Sequence, residues 1–271
     1  MPLVKTQEGD EKKPYYPFYA AGIEPNTAED YEFLKTKAWK ERGSGIEFRD
    51  RNLLLTSKIR TIDSGLYPLM DGGYVTVTKI PVPDITADMM WWWTAWHTLD
   101  PLRYACWDPE DHVNIEIPDS DRMRLLDENI PLQERTWGML QRPTEIIHGA
   151  PAEPVSLYIK KPSDLGLDMS LIGTDDCQYL SGAITDLGEM KIIVIATLAK
   201  TEHGSEFREF FYFGYTVENG KGIALVPPVD IPPLKQAAEG ALMHSRKEYR
   251  NLNKVLPKLY EMYKDKPLDA I

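Results

Sequence analysis

The chain has 271 residues, 42% of them hydrophobic and 27% charged, enough for one large domain with a sizeable core. Its formal net charge of −11, with no dense Lys/Arg run, argues against a nucleic-acid partner. Two cysteines, Cys106 and Cys177, are too few for a disulfide framework and lack CxxC spacing; with a polar N-terminus and no apolar run of the roughly 20 residues that cross a bilayer, they point to a reduced, cytoplasmic protein away from membranes.

Residues 1–26 are rich in Pro and Tyr and read as irregular. Asn26 or Thr27 is placed to cap a helix over 28–42, ended near Gly43. Short strands are expected at 46–48 and 53–62, and at 74–80 after the Asp71-Gly72-Gly73 turn, where YVTVTKI alternates. Pro81 and Pro83 close that strand. Asp84 or Thr86 then caps a second helix that carries Trp91, Trp92, Trp93 and Trp96 ahead of His97. Met90, Trp93 and His97 share one face of it. So many tryptophans in one short stretch suggest that some line a pocket, against the plainer reading of core.

Residues 100–142 read as loop-rich, with Pro118 and Pro131. Strands follow at 144–148, 155–160, 178–185, 191–201 and 208–217, with turns at Gly173, Asp186-Leu187-Gly188 and His203-Gly204. The run IIVIATL is apolar almost throughout, as in a central strand. Four prolines lead into a last long helix, 234–256, which Pro257 ends or kinks. Its apolar stripe is Leu234, Ala237, Ala238, Ala241, Leu242, Tyr249, Leu252, Val255 and Leu256. Consecutive antiparallel strands closed by one long helix predict an α+β fold. The helix lies across a curved sheet, with a cavity between them.

His244 and Glu248 stand four apart and fall inside or at the edge of that stripe, so both turn inward. A buried charge needs a partner or a metal. Imidazole and carboxylate together suit zinc or a related divalent ion. His97 supplies a third candidate ligand, and Glu145, in the apolar context Thr144-Glu145-Ile146-Ile147, a fourth. Plainer readings stand beside each: a half-exposed i, i+4 pair, a hydrogen-bonded histidine near a helix end, an edge-strand glutamate in water. Glu128 and Glu134 lie in polar context and read as solvated. HxxxE alone is a weak signal.

Several stretches together carry a resemblance. They are Met90 to His97, Arg103-Tyr104, Trp107 to His112, Glu145-Ile146-Ile147-His148-Gly149, Leu157-Tyr158-Ile159, Pro162 to Asp168, the positions His203, Gly204, Glu206, Arg208 and Gly214, and His244-x-x-x-Glu248. Over about residues 74–260 the chain resembles the diacetylphloroglucinol hydrolase and phloretin hydrolase family. The resemblance implies a C–C bond hydrolase built on a helix-grip domain like that of the birch-pollen allergen. It places a smaller N-terminal portion at 1–73 ahead of a catalytic domain at 74–271. It also implies a homodimer, and Zn2+ held by two histidines and two glutamates, here His97, Glu145, His244 and Glu248. Counting alone puts Glu128 forward for the first glutamate; the apolar strand favours Glu145.

The implied substrate is a small aromatic ketone, an acylphloroglucinol. Phloretin, cut to phloroglucinol and 3-(4-hydroxyphenyl)propionate, is preferred to diacetylphloroglucinol. His203 is the expected acid or hydrogen-bond donor, with Tyr104 beside it. Arg103, Arg208 and Tyr212 are candidates for contacts with ring hydroxyls, with a structural hydrogen bond as the plainer role for Arg103 and Tyr212. Met89, Trp92 and Trp93 are expected to line an apolar pocket. A non-catalytic carrier of hydrophobic ligands, or a metal-dependent polyketide cyclase or ester hydrolase, are the rival readings.

Overall fold

The structure, a computed structural model, describes residues 3–147, 151–187 and 190–270. Two short helices, α1 (Tyr16–Ala20) and α2 (Ala28–Thr36), come first. The Thr27 hydroxyl accepts from the Asp30 N–H and the Asp30 carboxylate accepts from the Thr27 N–H, a reciprocal cap. Helix α2 stops at Thr36, short of the expected 42. The strand expected at 53–62 is absent. Two 3-10 segments, Phe48–Leu55 and Ser57–Thr61, stand there instead. This stretch lacks period-2 alternation, and tight turns bury Leu54, Leu55 and Ile59 together.

Strands β1 (Gly65–Pro68) and β2 (Tyr74–Pro81) form a hairpin. Gly73, at φ 69°, takes a left-handed conformation in the turn, with the Phe213 carbonyl where a side chain would stand. The boundary expected at residue 73 therefore falls inside a hairpin. Helix α3 (Ala87–Trp96) is capped by Thr86, whose hydroxyl accepts from the Met89 N–H. The region expected to be loop-rich holds α4 (Pro101–Ala105), β3 (His112–Glu116) and α5 (Asp119–Leu126). Then come β4 (Leu140–Glu145), β5 (Glu153–Pro154), β6 (Ser156–Lys160), β7 (Tyr179–Leu187), β8 (Met190–Thr201) and β9 (Gly204–Phe213), a small hairpin of β10 (Tyr215–Glu218) and β11 (Lys221–Ala224), and α6 (Pro232–Tyr263). His148 and Gly149, and Gly188 of the β7–β8 turn, lie outside the described residues.

The main sheet runs β1-β2-β9-β8-β7-β6-β4-β3, with β5 paired to β4 and antiparallel neighbours throughout. Alternation gives it two covered faces. On β9, Phe210 and Tyr212 pack outward against Ile46, Phe48 and Leu54, whereas Phe207 and Phe213 turn toward α6. Helix α6 lies across this second face, so the fold is α+β, a long helix gripped by an antiparallel sheet. Pro257 does not end the helix. A proline inside a helix costs about 3 kcal/mol. Continuing two turns buries Leu259 and Tyr263, and a buried large apolar side chain is worth roughly 1.5–3 kcal/mol, so the two together offset the proline. Among the described residues no helix is long and apolar enough to cross a membrane.

Candidate active site

Three elements deliver one polar cluster. Helix α6 presents His244 and Glu248 one turn apart. Strand β3 starts at His112, and its pairing with β4 sets His112 opposite Glu145. His112 Nε2 lies 3.3 Å from His244 Nε2 and 3.2 Å from Glu248 Oε2. His244 Nε2 is 3.5 Å from Glu248 Oε2 and 4.0 Å from Glu145 Oε2. The remaining ring nitrogens point away: His112 Nδ1 is 3.2 Å from the Tyr104 carbonyl and His244 Nδ1 is 3.4 Å from Asp111 Oδ2. The Tyr104 ring stacks on His112 at 4.0 Å and 6°, and its hydroxyl donates to Glu145.

This donor set fits a divalent cation. Ligand atoms of His112, His244 and Glu248 lie within 4.8 Å of one another. His112 Nδ1 meets the Tyr104 carbonyl and His244 Nδ1 faces Asp111, so both rings offer Nε2 inward, the arrangement that outer partners favour in metal-binding histidines. Two nitrogens and carboxylate oxygens are zinc-type ligands. The local field asks for positive charge. Burial disfavours a proton on His244, yet Glu248, Asp111, Glu145 and Asp108 outweigh burial and carry its pKa up to about 10. Burial, with the neighbouring His244, holds His112 well below the usual histidine range.

A second acidic group lies behind His244. Asp108 and Asp111 also approach it, but the Lys247 ammonium sits there, 2.5 Å from Asp111, 3.0 Å from Asp108 and 3.7 Å from Glu110. That group already has its cation.

The structure brings together Glu145, His244 and Glu248, and brings Tyr104 beside them. The histidine that joins them is His112, not His97. His97 Nδ1 is 2.7 Å from the Trp93 carbonyl and its ring stacks on Trp93 at 5.1 Å. Burial lowers its pKa to about 4. It borders the cavity as a neutral wall. Glu128 is exposed, just past α5. His203 is exposed in the turn between β8 and β9, away from the cavity. Arg208 and Tyr212 lie on the outward phase of β9; Arg208 Nε donates to Glu206 (2.6 Å) and the Tyr212 hydroxyl to the Ile46 carbonyl (3.0 Å). Arg103 donates to the carbonyls of Leu268 (2.6 Å) and Ala270 (2.8 Å), pinning the C-terminal segment. Trp92 stacks on Trp96 at 4.8 Å and meets Tyr260 edge-on at 5.5 Å, so it is core, with half-buried Met89 against the same cluster. Of the expected pocket residues, Trp93 borders a small cavity of about 120 Å³.

The main cavity, about 640 Å³, opens between α6 and the sheet. Tyr104, Glu145, His244 and Glu248 form its polar end. Ile192, Val194, Phe211, Phe213 and Ala237 form much of its apolar wall. One acidic lining residue escaped the sequence reading. Glu209 is buried on β9, accepting from the Ser245 hydroxyl at 2.6 Å and the Tyr249 hydroxyl at 3.0 Å. Burial pushes its pKa up to about 7 against those two donors. The signal was present: Glu209 is in phase with Phe207, Phe211 and Phe213, the inward set of GSEFREFFYF.

A helix-grip chain in which two imidazoles and two carboxylates converge at one end of an apolar cavity has a donor set that fits a cation and a space that fits a small ligand. A sequence model of the DAPG hydrolase PhiG domain matches residues 46–261, and the chain belongs to that family. Phloretin hydrolase of Eubacterium ramulus is 31% identical over 268 residues, 97% of this chain and 94% of that protein. The 2,4-diacetylphloroglucinol hydrolase of a Pseudomonas species is 33% identical over 124 residues, 45% of this chain and 40% of that protein. Among solved structures, that of Ara h 8.0201 aligns at 12% identity with a TM-score of 0.40, over 68% of this chain and 99% of that one.

Proposed function

We propose that the protein is a zinc-dependent hydrolase that cleaves the bond between ring and acyl carbon in phloretin-type acylphloroglucinols. The products are phloroglucinol and 3-(4-hydroxyphenyl)propionate. The observation that carries this reading is the convergence of His112 Nε2, His244 Nε2 and Glu248, with Glu145 beside them, at the polar end of the apolar cavity. These four residues would hold the ion. When bound, zinc supplies a water of near-neutral pKa and polarises the ketone oxygen.

The chain's own residues do the rest. Asp111 and the Tyr104 carbonyl fix the two imidazoles through Nδ1. Tyr104 steadies Glu145 by its hydroxyl and His112 by its ring, and its place on the cavity wall lets the phenol meet a ring hydroxyl. Ile192, Val194, Phe211 and Phe213 exclude bulk water and take the apolar part of the ligand. In the reaction, water oxygen bonds to the carbonyl carbon and the aryl–acyl bond breaks. Its electron pair stays on the ring carbon, which takes a proton; the flanking hydroxyls let the ring receive that proton as its keto tautomer.

Phloretin is favoured over a diacetyl substrate because the likeness to the phloretin hydrolase runs nearly end to end, whereas that to the diacetylphloroglucinol hydrolases covers 45% of the chain. The test is incubation with phloretin with and without a chelator, following phloroglucinol by liquid chromatography. Product that vanishes on chelation and returns with zinc supports the proposal. No product from phloretin or diacetylphloroglucinol at any metal content refutes it. Turnover of diacetylphloroglucinol alone refutes the substrate assignment.

A further inference from the structure

Among the described residues lining the main cavity, Glu209 is the one carboxyl outside the His112–Glu145–His244–Glu248 cluster. Its position is fixed from both sides. On β9 it pairs with Ala196 of β8 and Thr78 of β2, which aims its side chain at α6. There Oε2 accepts from Ser245 at 2.6 Å and Oε1 from Tyr249 at 3.0 Å. Those two hydroxyls belong to the residues directly after His244 and Glu248, so the carboxyl is tied to the same helical turn that presents the cluster. The Tyr249 ring is itself clamped by Phe207, stacked at 3.7 Å. The carboxyl also borders the smaller cavity of about 120 Å³. It thus stands at a junction of two spaces.

A buried carboxylate is costly without a cation. Glu209 has two neutral hydroxyls for partners, in contrast to Asp108 and Asp111, which have Lys247. Two hydroxyl donors satisfy one lone pair on each oxygen and leave room for a proton directed at the cavity. Buried with two neutral partners and, among the described residues, no ion pair to a cation, the carboxyl is favoured in its protonated form. The facing groups that bear on this charge are His244 and Glu145, with the coupled Glu248.

We propose that Glu209 is the acid that protonates the ring carbon as the aryl–acyl bond breaks, an inference that rests on the hydrolase reading above. The Glu209 O–H bond breaks and a ring C–H bond forms with the electron pair released from the C–C bond. The attacking water keeps its oxygen and one hydrogen in the carboxylic acid product. Its other proton returns to Glu209. Ketone and water thus give acid and arene with Glu209 restored, and no further reactant is needed.

The test uses full-length zinc-loaded protein and phloretin, comparing wild type with Glu209→Gln and Glu209→Asp. Loss of a general acid predicts a fall in kcat of about 10²–10⁴-fold for Glu209→Gln. KM and zinc content should stay near wild type. Glu209→Asp keeps the proton on a shorter arm and should recover part of the lost kcat. A Glu209→Gln enzyme with wild-type kcat overturns the proposal, as does a loss that follows zinc content or KM rather than kcat. If Glu209→Gln does not fold, Glu209→Asp decides: lowered kcat at unchanged KM supports the role, and wild-type kcat overturns it. A wild-type protein that cleaves no acylphloroglucinol overturns this inference and the hydrolase reading together. Cleavage by wild type and Glu209→Gln alike overturns this inference alone.

Discussion

Replacing His112 by alanine should abolish tight zinc binding, and replacing His97 should not. Both histidines are buried and both border aromatic rings, so the comparison holds environment nearly constant. They differ in where their nitrogens point. His112 offers Nε2 to His244 and Glu248 at 3.3 and 3.2 Å, whereas His97 spends Nδ1 on the Trp93 carbonyl at 2.7 Å. A four-donor zinc site is worth about 10–16 kcal/mol at neutral pH, so one donor carries roughly 3–4 kcal/mol. At 1.4 kcal/mol per tenfold, His112→Ala should weaken zinc about 10²–10³-fold. His97→Ala loses a hydrogen bond and a stacked ring, costing about 1–3 kcal/mol of stability while zinc affinity stays within a few fold. The assay is competition against a chromophoric chelator, with metal content by mass spectrometry and folding by circular dichroism. Zinc retained by folded His112→Ala and lost by folded His97→Ala would show that the ligand assignment is wrong.

Glu145→Gln should lower zinc affinity and activity while Glu128→Gln leaves both unchanged, since Glu128 is exposed; metal titration of the two variants decides, and the reverse pattern sinks the choice of Glu145. Lys247→Met removes the cation from buried Asp108 and Asp111, which should cost about 3–5 kcal/mol in urea denaturation; an unchanged midpoint would mean those carboxyls are neutral in the fold. Asp30→Asn should lower stability by about 1–2 kcal/mol at pH 7, because Asp30 accepts from Arg246 and Arg250 on α6, both partly exposed. Burial alone would raise the Asp30 pKa, but the Thr27 N–H, Arg250 and Arg246 hold it well below its ordinary 3.8. A depressed folded pKa gives stability that is full above the unfolded value and is lost as pH falls through the folded one. The difference between wild type and Asp30→Asn should therefore be constant near neutrality and shrink below pH 3.8; a gap that widens on acidification would contradict this.

Periodicity made the skeleton legible. The 3.6-residue stripe of α6, the alternation of β2 and the continuous apolar run of β8 are properties of the local sequence, and they placed the helix against the sheet. Elements held by tertiary contacts were not legible. Residues 53–62 mix apolar and polar positions without a period, and the burial of Leu54, Leu55 and Ile59 against the outer face of the sheet, not local propensity, selects 3-10 turns. Pro257 obeys the local rule of a helix breaker only until Leu259 and Tyr263 find a core to enter. In the site, Glu145, His244 and Glu248 were visible as polar residues in apolar surroundings. His112 was not, because it ends the acidic stretch Asp108-Pro109-Glu110-Asp111, which reads as a solvated loop. Burial of that stretch depends on Lys247, from a helix more than a hundred residues later.

The same pairing explains how the centre keeps its charges apart. Helix α6 carries His244, Lys247 and Glu248 within five positions. Lys247 pairs with Asp108 and Asp111, and Asp111 in turn faces His244 Nδ1 at 3.4 Å. One ammonium thus stabilises the very carboxylate that aims the imidazole. Glu145 and Glu248 are left on the cavity side with two imidazoles, and the ion pairs they make there are to those imidazoles. To take a metal His244 would give up its proton, and two neutral imidazoles with two carboxylates would then amount to a charge of about −2, which a single divalent cation balances. If the lysine were instead on the cavity side, its ammonium would compete for those carboxylates, and the nitrogens of His112 and His244 would face a cation they cannot ligate. The order of charged residues along α6 therefore decides which of two neighbouring acidic groups is structural and which is open to a metal.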